Sequence, residues 1–66
     1  MRLFEYAVIY DPSEAAVKKG DEPKLIVDVT RVLADSAEHV NIIASRAIPE
    51  EYLTKLDQVE IAVRPF

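Results

Sequence analysis

The sequence has no cysteine and no tryptophan, and it contains only one glycine and one histidine among its 66 residues. Without cysteine the chain cannot form a disulfide, and His39 has no cysteine or second histidine with which to build a typical metal site. A single glycine does not supply a glycine-rich phosphate loop. We therefore expect no cofactor and no metal, and a domain this small then gains further stability by associating with another chain.

Positive charge is also scarce, because eight basic residues stand against twelve acidic ones and give a net charge of −4. Nucleic acids and anionic membranes attract positively charged patches, so we expect neither as a partner. No apolar stretch is long enough to span a bilayer, and Glu5 interrupts the N-terminal segment too early for a secretory signal. We expect a protein that is not secreted, located in a cytoplasm or inside an assembled particle.

Hydrophobic residues make up half of the sequence, and they follow strand patterns in three segments. Leu3–Tyr10 is apolar on both faces apart from Glu5, which is typical of a central strand. Leu25–Ala34 and Val59–Arg64 alternate between apolar and polar residues, as strands with one solvated face do. The residues expected to face inward are Leu25, Val27 and Val29 in the second segment and Val59, Ile61 and Val63 in the third.

Helix signals lie between the second and third strands. A capping box at Asp35–Glu38 predicts the start of a helix that runs to about Ala47. Its apolar residues recur at helical spacing, and they are Val40, Ile43, Ala44 and Ala47. Pro49 ends this helix and can begin a short second one.

Residues 11–24 form a long connection that we expect to be mobile rather than part of the core. Asp11 can cap a helix, Pro12 suits its first position, and Glu14 completes a capping box. The run to Gly20 nevertheless holds only about two turns, and isolated helices of that length are marginal in water. We expect a helical turn within a long loop.

Together these elements predict a single α+β domain over residues 1–66, built on a three-stranded mixed sheet in the order 2-1-3. The helical connection between the second and third strands predicts a right-handed crossover, with the first strand lying between them. We expect the main helix and the short second helix to pack on one face of the sheet, which leaves the other face in water.

A contact surface is expected on the first strand, because whichever face packs the helix, the other one is apolar. The exposed set is then either Phe4, Tyr6, Val8 and Tyr10, or Leu3, Ala7 and Ile9. We favour the first set, Phe4, Tyr6, Val8 and Tyr10, as the partner-binding residues, since an apolar stripe flanked by charge marks many contact surfaces. An equally simple interpretation is that the long loop or Phe66 folds over this stripe and covers it.

No catalytic constellation emerges from the polar residues. Capping explains Asp35 and Glu38, and a solvated sheet face explains Asp28 and Glu60. His39 lies in the first turn of its helix with no serine or cysteine nucleophile placed for it by a motif. Aromatic residues on a sheet can stack on RNA bases, but such platforms have basic surroundings and this chain is acidic. We expect a protein that is not an enzyme.

Four stretches resemble a family of small proteins of tailed bacteriophages, especially phages of actinobacteria. They are Leu3–Ile9, Val32–Ala34, Ile48–Tyr52 and Val59–Phe66. The resemblance covers nearly the whole chain except the connection Asp11–Lys24, and it implies that this connection is the variable part of the chain. None of these stretches is a catalytic motif, so the resemblance indicates a genome context and assigns no active residue.

The resemblance implies a non-enzymatic accessory protein that acts by protein–protein association. The leading expectation is a small virion structural or assembly component bound to capsid or tail subunits. The alternative is an early phage protein that binds a host protein and inhibits or redirects it. In either case we expect a homo-oligomer or partner-bound chain, in the host cytoplasm or within the virion. Edge-strand addition would suit both, because an open three-stranded sheet exposes two edges.

Overall fold

The computed structural model describes all 66 residues, and it shows an α+β fold with three strands and three short helical segments. Strand β1 is Arg2–Tyr10, β2 is Lys24–Ala34 and β3 is Val59–Pro65. Helix α1 is Glu14–Lys18, α2 is Ala37–Arg46, and a 3₁₀-helix interrupted by a kink at Lys55 follows at Glu50–Gln58. The predicted strands and the main helix are confirmed to within one or two residues at each end.

The sheet has the order β2-β1-β3, so the prediction that the first strand is central is confirmed. Both β2 and β3 pair with β1 in antiparallel fashion, and every neighbouring pair is therefore antiparallel. The prediction of a mixed sheet is wrong in this respect, because β2 and β3 run in the same direction but never touch. Strand β1 carries apolar residues on both faces, but in this antiparallel sheet only one of the two faces is covered by helix.

The core lies between one face of the sheet and α2. It is built from Phe4, Tyr6 and Val8 of β1 together with Val40 and Ala44 of α2, all of them buried. The inward residues predicted for β3 also pack against this core, and they are Val59, Ile61 and Val63. Val40 and Ala44 are one helical turn apart, which is the spacing that puts two side chains on one face of a helix.

Strand β2 departs from simple alternation because it contains two bulges. It has eleven residues opposite the nine of β1, and its register shifts on both sides of Val8. Val27 packs against the core, but Leu25 and Val29 are more than half exposed. The prediction that Leu25 and Val29 face inward is wrong, since each extra residue reverses the side on which the following side chains lie.

A serine caps each α-helix. Ser36 caps α2, one position after the expected Asp35, and Ser13 caps α1, two positions after the expected Asp11. The Ser13 hydroxyl accepts a hydrogen bond from the Ala16 backbone amide, and the Ser36 hydroxyl accepts one from the amide of His39. The expectation that Asp11 caps α1 is therefore wrong. Ser13 satisfies the free amides at the start of this five-residue helix, as serine does at many helix starts.

The connection between β1 and β2 is tied to the rest of the fold at both ends. The amides of Asp11 and Ser13 donate to the backbone oxygen and side-chain oxygen of Gln58, each over 2.8 Å. Farther along, the Tyr10 hydroxyl donates to the Asp21 carboxylate over 3.2 Å. Gly20 between them has a φ of 99°, a conformation that strongly favours glycine and lets the chain turn out of α1.

The molecule is elongated and thin, with principal extents of 43 × 18 × 14 Å. Its radius of gyration is 12.9 Å, whereas a compact chain of this length has about 10.8 Å. Its accessible surface is 4771 Å², compared with about 4,200 Å² for a typical monomer of this mass. The helical segments cover only one face of the sheet, and the excess surface agrees with that.

None of the helices combines the length and the apolar character that crossing a membrane would require.

Candidate functional site

The four residues favoured from the sequence as a partner surface lie in the interior. Phe4, Tyr6, Val8 and Tyr10 are each no more than 8% exposed. The prediction that this stripe is an exposed contact surface is wrong for this structure, because α2 covers its middle and Tyr52 of the 3₁₀-helix packs against Tyr10 with 5.3 Å between ring centroids. These side chains hold the fold together and are not available to a partner.

The opposite side of the sheet, which we call the open face, carries the other apolar stripe considered from the sequence. Leu3, Ala7 and Ile9 of β1 point there, and no helix covers them. Their neighbours extend the stripe across all three strands. Apolar residues of this face that are more than half exposed are Leu25, Val29, Leu33 and Phe66. An exposed apolar surface on so small a protein, interrupted here by the charged residues around Glu5, is typical of an interaction site.

A shallow hollow lies near the middle of the open face. Its volume is about 300 Å³, and its lining includes the small side chains of Ala7 and Ala62 and the exposed Val29. Glu5 and Arg64 border it on one side. Two alanines on neighbouring strands leave a depression that a larger apolar group of a partner can fill, which is how interface cores reach the packing density of protein interiors.

The charges of the open face are organised around Glu5. Its carboxylate accepts a hydrogen bond from Nε of Arg64 at 2.9 Å and lies 3.8 Å from Nε of Arg31. The Glu5 side chain is only 12% exposed, whereas those of Arg31 and Arg64 are 63% and 74% exposed. The Arg31 guanidinium also lies 4.3 Å from the centre of the Phe66 ring, a cation–π contact. Glu5 is thereby neutralised, and the arginines present their surplus positive charge to solvent.

Phe66 does not cover the exposed stripe, contrary to one interpretation of the sequence. The Phe66 amide donates to the Leu3 carbonyl over 3.0 Å, so Phe66 continues the β1–β3 ladder at one end of the open face. Its ring remains 61% exposed beneath Arg31. Phe66 therefore extends the apolar surface and does not hide it. The connection 11–24 does not cover this surface either, since its hydrogen bonds are to Tyr10 and Gln58.

Both outer edges of the sheet have features that discourage strand addition. The two bulges of β2 interrupt the regular spacing of its backbone groups. Strand β3 ends at Pro65, which has no amide to donate. Bulges, short strands and proline are the usual means by which proteins protect sheet edges. The open face is therefore a better contact surface than either edge.

A second, smaller cleft of about 120 Å³ lies at the other end of β1, where Tyr10, Tyr52 and Lys55 meet Asp21. Burial raises the pKa of the Tyr10 phenol, and its hydrogen bond to Asp21 and the nearby negative charge raise it further. The Lys55 ammonium lies 5.4 Å from the centre of the Tyr10 ring. These groups contact one another, so the cleft fastens the connection to the sheet and gives no sign of a ligand.

The polar residues considered for catalysis are not assembled into a site. Asp28 is exposed on β2 and accepts a hydrogen bond from the neighbouring Val29 amide. Glu60 lies on β3, beyond the intervening β1 and thus about 10 Å away or more. His39 is partly buried in the first turn of α2, beside the exposed Asp35 and Glu38. No three acidic, histidine or cysteine side chains are grouped as metal ligands.

Several residues of the open face were missed by sequence reasoning. Leu25 and Val29 are predicted to be core residues, Arg31 and Leu33 are given no role, and Phe66 is considered only as a cover for the exposed stripe. The two bulges put Val27 on the core face and leave Leu25 and Val29 on the open face, and they leave no clear trace in the sequence. One signal was available: Glu5 is the only charge within Leu3–Tyr10, and a helix packs more readily on the face without it.

Comparisons with protein-family models, with curated proteins and with solved structures found no match for this chain.

Proposed function

We propose that this chain is a non-enzymatic accessory protein that acts by protein–protein association through the open face of its sheet. The observation that carries the proposal is the uncovered apolar surface around Ala7, Val29 and Ala62, which spans all three strands. A small domain with few buried residues gains stability when such a surface is covered. The paired charges of Glu5 and its arginines supply directional contacts at the centre of this surface.

The resemblance to small proteins of tailed phages supports a role as a virion structural or assembly component, bound to capsid or tail subunits. In that role the chain resides in the host cytoplasm until assembly and afterwards in the particle. Many copies on a symmetric particle make weak individual contacts sufficient, because linked contacts strengthen one another. The second candidate is an early phage protein that binds a host protein, and an open face of mixed apolar and charged character fits that role too.

A tagged pull-down from phage-infected cells tests the proposal, with protein identification by mass spectrometry. The matched baits are the wild type, Val29→Asp on the open face and Ile42→Asp on α2. Val29 and Ile42 are 54% and 53% exposed, so both variants place a charge on the surface and differ in the face they alter.

We expect the wild type and Ile42→Asp to recover capsid or tail subunits, and Val29→Asp to lose them. Recovery of one host protein with the same pattern supports the host-directed candidate instead. Equal recovery by all three baits contradicts the proposal that the open face is the contact surface. Counting the copies of the chain in purified particles then separates a stoichiometric component from a contaminant.

A further inference from the structure

The residues of the open face lie in four rows across the sheet, defined by the strand register. Reading from β2 through β1 to β3, the rows are Leu33, Leu3 and Phe66; Arg31, Glu5 and Arg64; Val29, Ala7 and Ala62; and Leu25, Ile9 and Glu60. The first and last rows are mainly apolar, the second carries long charged side chains, and the third carries small ones. The hollow at the third row therefore lies between the charged second row and the mainly apolar fourth row.

Charge is separated along this face. The two arginines lie in the second row, and Glu60 lies in the fourth row on the same strand as Arg64. Glu5 and Glu60 together balance Arg31 and Arg64, so the four charged residues of the rows sum to zero. The excess negative charge of the chain lies outside these rows. A surface that is neutral in sum but positive toward one end and negative toward the other can complement an inverted copy of itself.

A twofold axis gives that inversion. Consider two sheets that face each other, with the twofold axis in the plane between them, perpendicular to the strands, crossing β1 between Glu5 and Ala7. The first row of one copy then covers the fourth row of the other, and the second row covers the third. Apolar rows then meet apolar rows, and the arginine row lies over the hollow of the second copy. Arg64 comes to lie over Ala62 of the second copy, two residues from its Glu60. Both copies make the same contacts, as a twofold interface requires.

The alternative face-to-face arrangement, with the axis along the strands, is less favourable. It would set the arginine row of one copy against the arginine row of the other, and like charges facing each other in an interface are destabilising. The edges of the sheet are interrupted by bulges and by Pro65. The distribution of charge on the open face therefore favours the inverted face-to-face arrangement.

The area of the open face is sufficient for a weak to moderate dimer. Three strands about 4.8 Å apart and nine residues long project roughly 430 Å² per copy, counted on a flat sheet. Accessible area is larger because it follows the side chains, so the pair of faces contributes more than about 860 Å². Specific interfaces bury about 1,000 Å² or more in total. Extensive exposed surface on the free chain agrees with an interface left open.

We infer that a second copy of this chain covers the open face, in an antiparallel face-to-face dimer whose two sheets form the inner layers and whose α2 helices lie outside. The inference rests on the proposed function, since it takes the same surface and names its occupant in the chain on its own; a phage or host subunit that binds the open face takes the place of the second copy. Arg64 of each copy pairs with Glu60 of the other, and Val29 lies within the buried centre.

Sedimentation equilibrium of the purified chain, from about 10 μM to about 1 mM, tests this inference without any phage or host protein. We expect the average mass to rise from one chain to two across this range. Val29→Asp brings a charge into the centre of the interface on each copy and weakens association by about 100-fold or more. Ile42→Asp, with the same substitution on α2, leaves the association of the wild type unchanged.

A charge exchange tests the orientation. Glu60→Arg places positive charge opposite Arg64 of the second copy, and we expect about tenfold weaker association. Adding Arg64→Glu to that variant restores an opposite-charge pair across the interface and recovers part of the loss. The helical and sheet signals in circular dichroism show that each variant remains folded.

Two results overturn the inference. In the first, the wild type remains a monomer at about 1 mM; the proposed function still stands if Val29→Asp loses phage subunits in the pull-down. In the second, a dimer forms that Val29→Asp does not weaken, so it uses another surface. A dimer that Val29→Asp breaks, from a chain that recovers nothing from infected cells, supports the inference and contradicts the proposed function.

Discussion

The two faces of the central strand are similarly apolar, but one face is buried and the other is exposed. Phe4, Tyr6 and Val8 are buried by α2, whereas Leu25 and Val29 of the open face remain more than half exposed. Hydrophobicity does not decide which face becomes the core, because β1 is apolar on both. Glu5 distinguishes the two faces. Its carboxylate is neutralised by two arginines, and those arginines are stable only where their charges remain in contact with solvent.

This comparison separates apolar residues that hold the fold from apolar residues left for a partner. The core face has larger aromatic side chains, and its only charge within β1 is Arg2 at the end of the strand; α2 covers the middle of this face and Tyr52 of the 3₁₀-helix packs against Tyr10. On the open face, small side chains surround a hollow and charges are paired across strands. Substitutions that are chemically alike should therefore have very different effects on the two faces.

The largest expected difference comes from replacing one valine on each face with aspartate. Val8 is fully buried and Val29 is 54% exposed. Val8→Asp would place a carboxylate in the core without a partner, which costs more than the few kcal/mol that stabilise so small a domain. We expect Val8→Asp to be unfolded at 25 °C in circular dichroism.

Val29→Asp is the matched control for this change, and we expect it to keep a cooperative thermal transition. At concentrations where the chain is monomeric its free energy of unfolding should change by less than about 1 kcal/mol. A folded Val8→Asp variant would show that the core has been assigned to the wrong side of the sheet.

A smaller effect distinguishes the two sides of α2. Val40 is fully buried against the sheet, and Ile42 is 53% exposed on the same helix. Val40→Ala removes two buried methyl groups and leaves a small void, so we expect a loss of about 2 kcal/mol in the free energy of unfolding. Ile42→Ala should change it by no more than about 0.5 kcal/mol. Urea unfolding of both variants measures the difference, and equal losses would contradict the packing of α2 described above.

The ion pairs of the open face contribute less. Glu5→Gln keeps the shape of the side chain but removes its charge, and we expect a loss of about 0.5–1 kcal/mol at low salt, because both arginines are largely exposed and screened. The loss should shrink as salt is added. Glu22→Gln, in the exposed connection, serves as the control. A loss for Glu5→Gln that is independent of salt would contradict the ion-pair explanation.

The smallest effect at neutral pH is expected at the hydrogen bond between Tyr10 and Asp21. The folded state raises the pKa of Tyr10 above its ordinary value of 10.0 through burial first and then through Asp21. The stability linked to this group is therefore fully present below pH 10 and is lost as pH rises through the raised pKa.

Tyr10→Phe removes that dependence. We expect its thermal midpoint to fall by a few degrees at pH 7 and to decline less than that of the wild type above pH 10. Melting both proteins across this range measures the difference. Parallel decline of the two midpoints would show that Tyr10 has no part in the alkaline transition.

Much of the fold could be predicted from the sequence because its signals are local. The apolar character of both faces of Leu3–Tyr10 predicted a central strand, and the helical crossover predicted the order of the sheet. The exact caps were misplaced, since an aspartate stands one or two residues before each capping serine and both residue types can cap a helix. The surface was harder to predict: two bulges in β2 put Val27 on the opposite face from Leu25 and Val29, and bulges depend on the pairing of distant strands.

The central claim is that the open face meets the open face of a second copy, and single cysteines test it most directly. The chain has no cysteine of its own, so Ala62→Cys and Ile42→Cys each carry one reactive thiol, on the open face and on the outer side of α2. Facing sheets lie about 10 Å apart, a distance that a short bis-maleimide linker spans. We predict a cross-linked product of two chain masses from Ala62→Cys, lost when Val29→Asp is added, and little from Ile42→Cys. No dimeric product from Ala62→Cys, or an equal yield from Ile42→Cys, would contradict the claim.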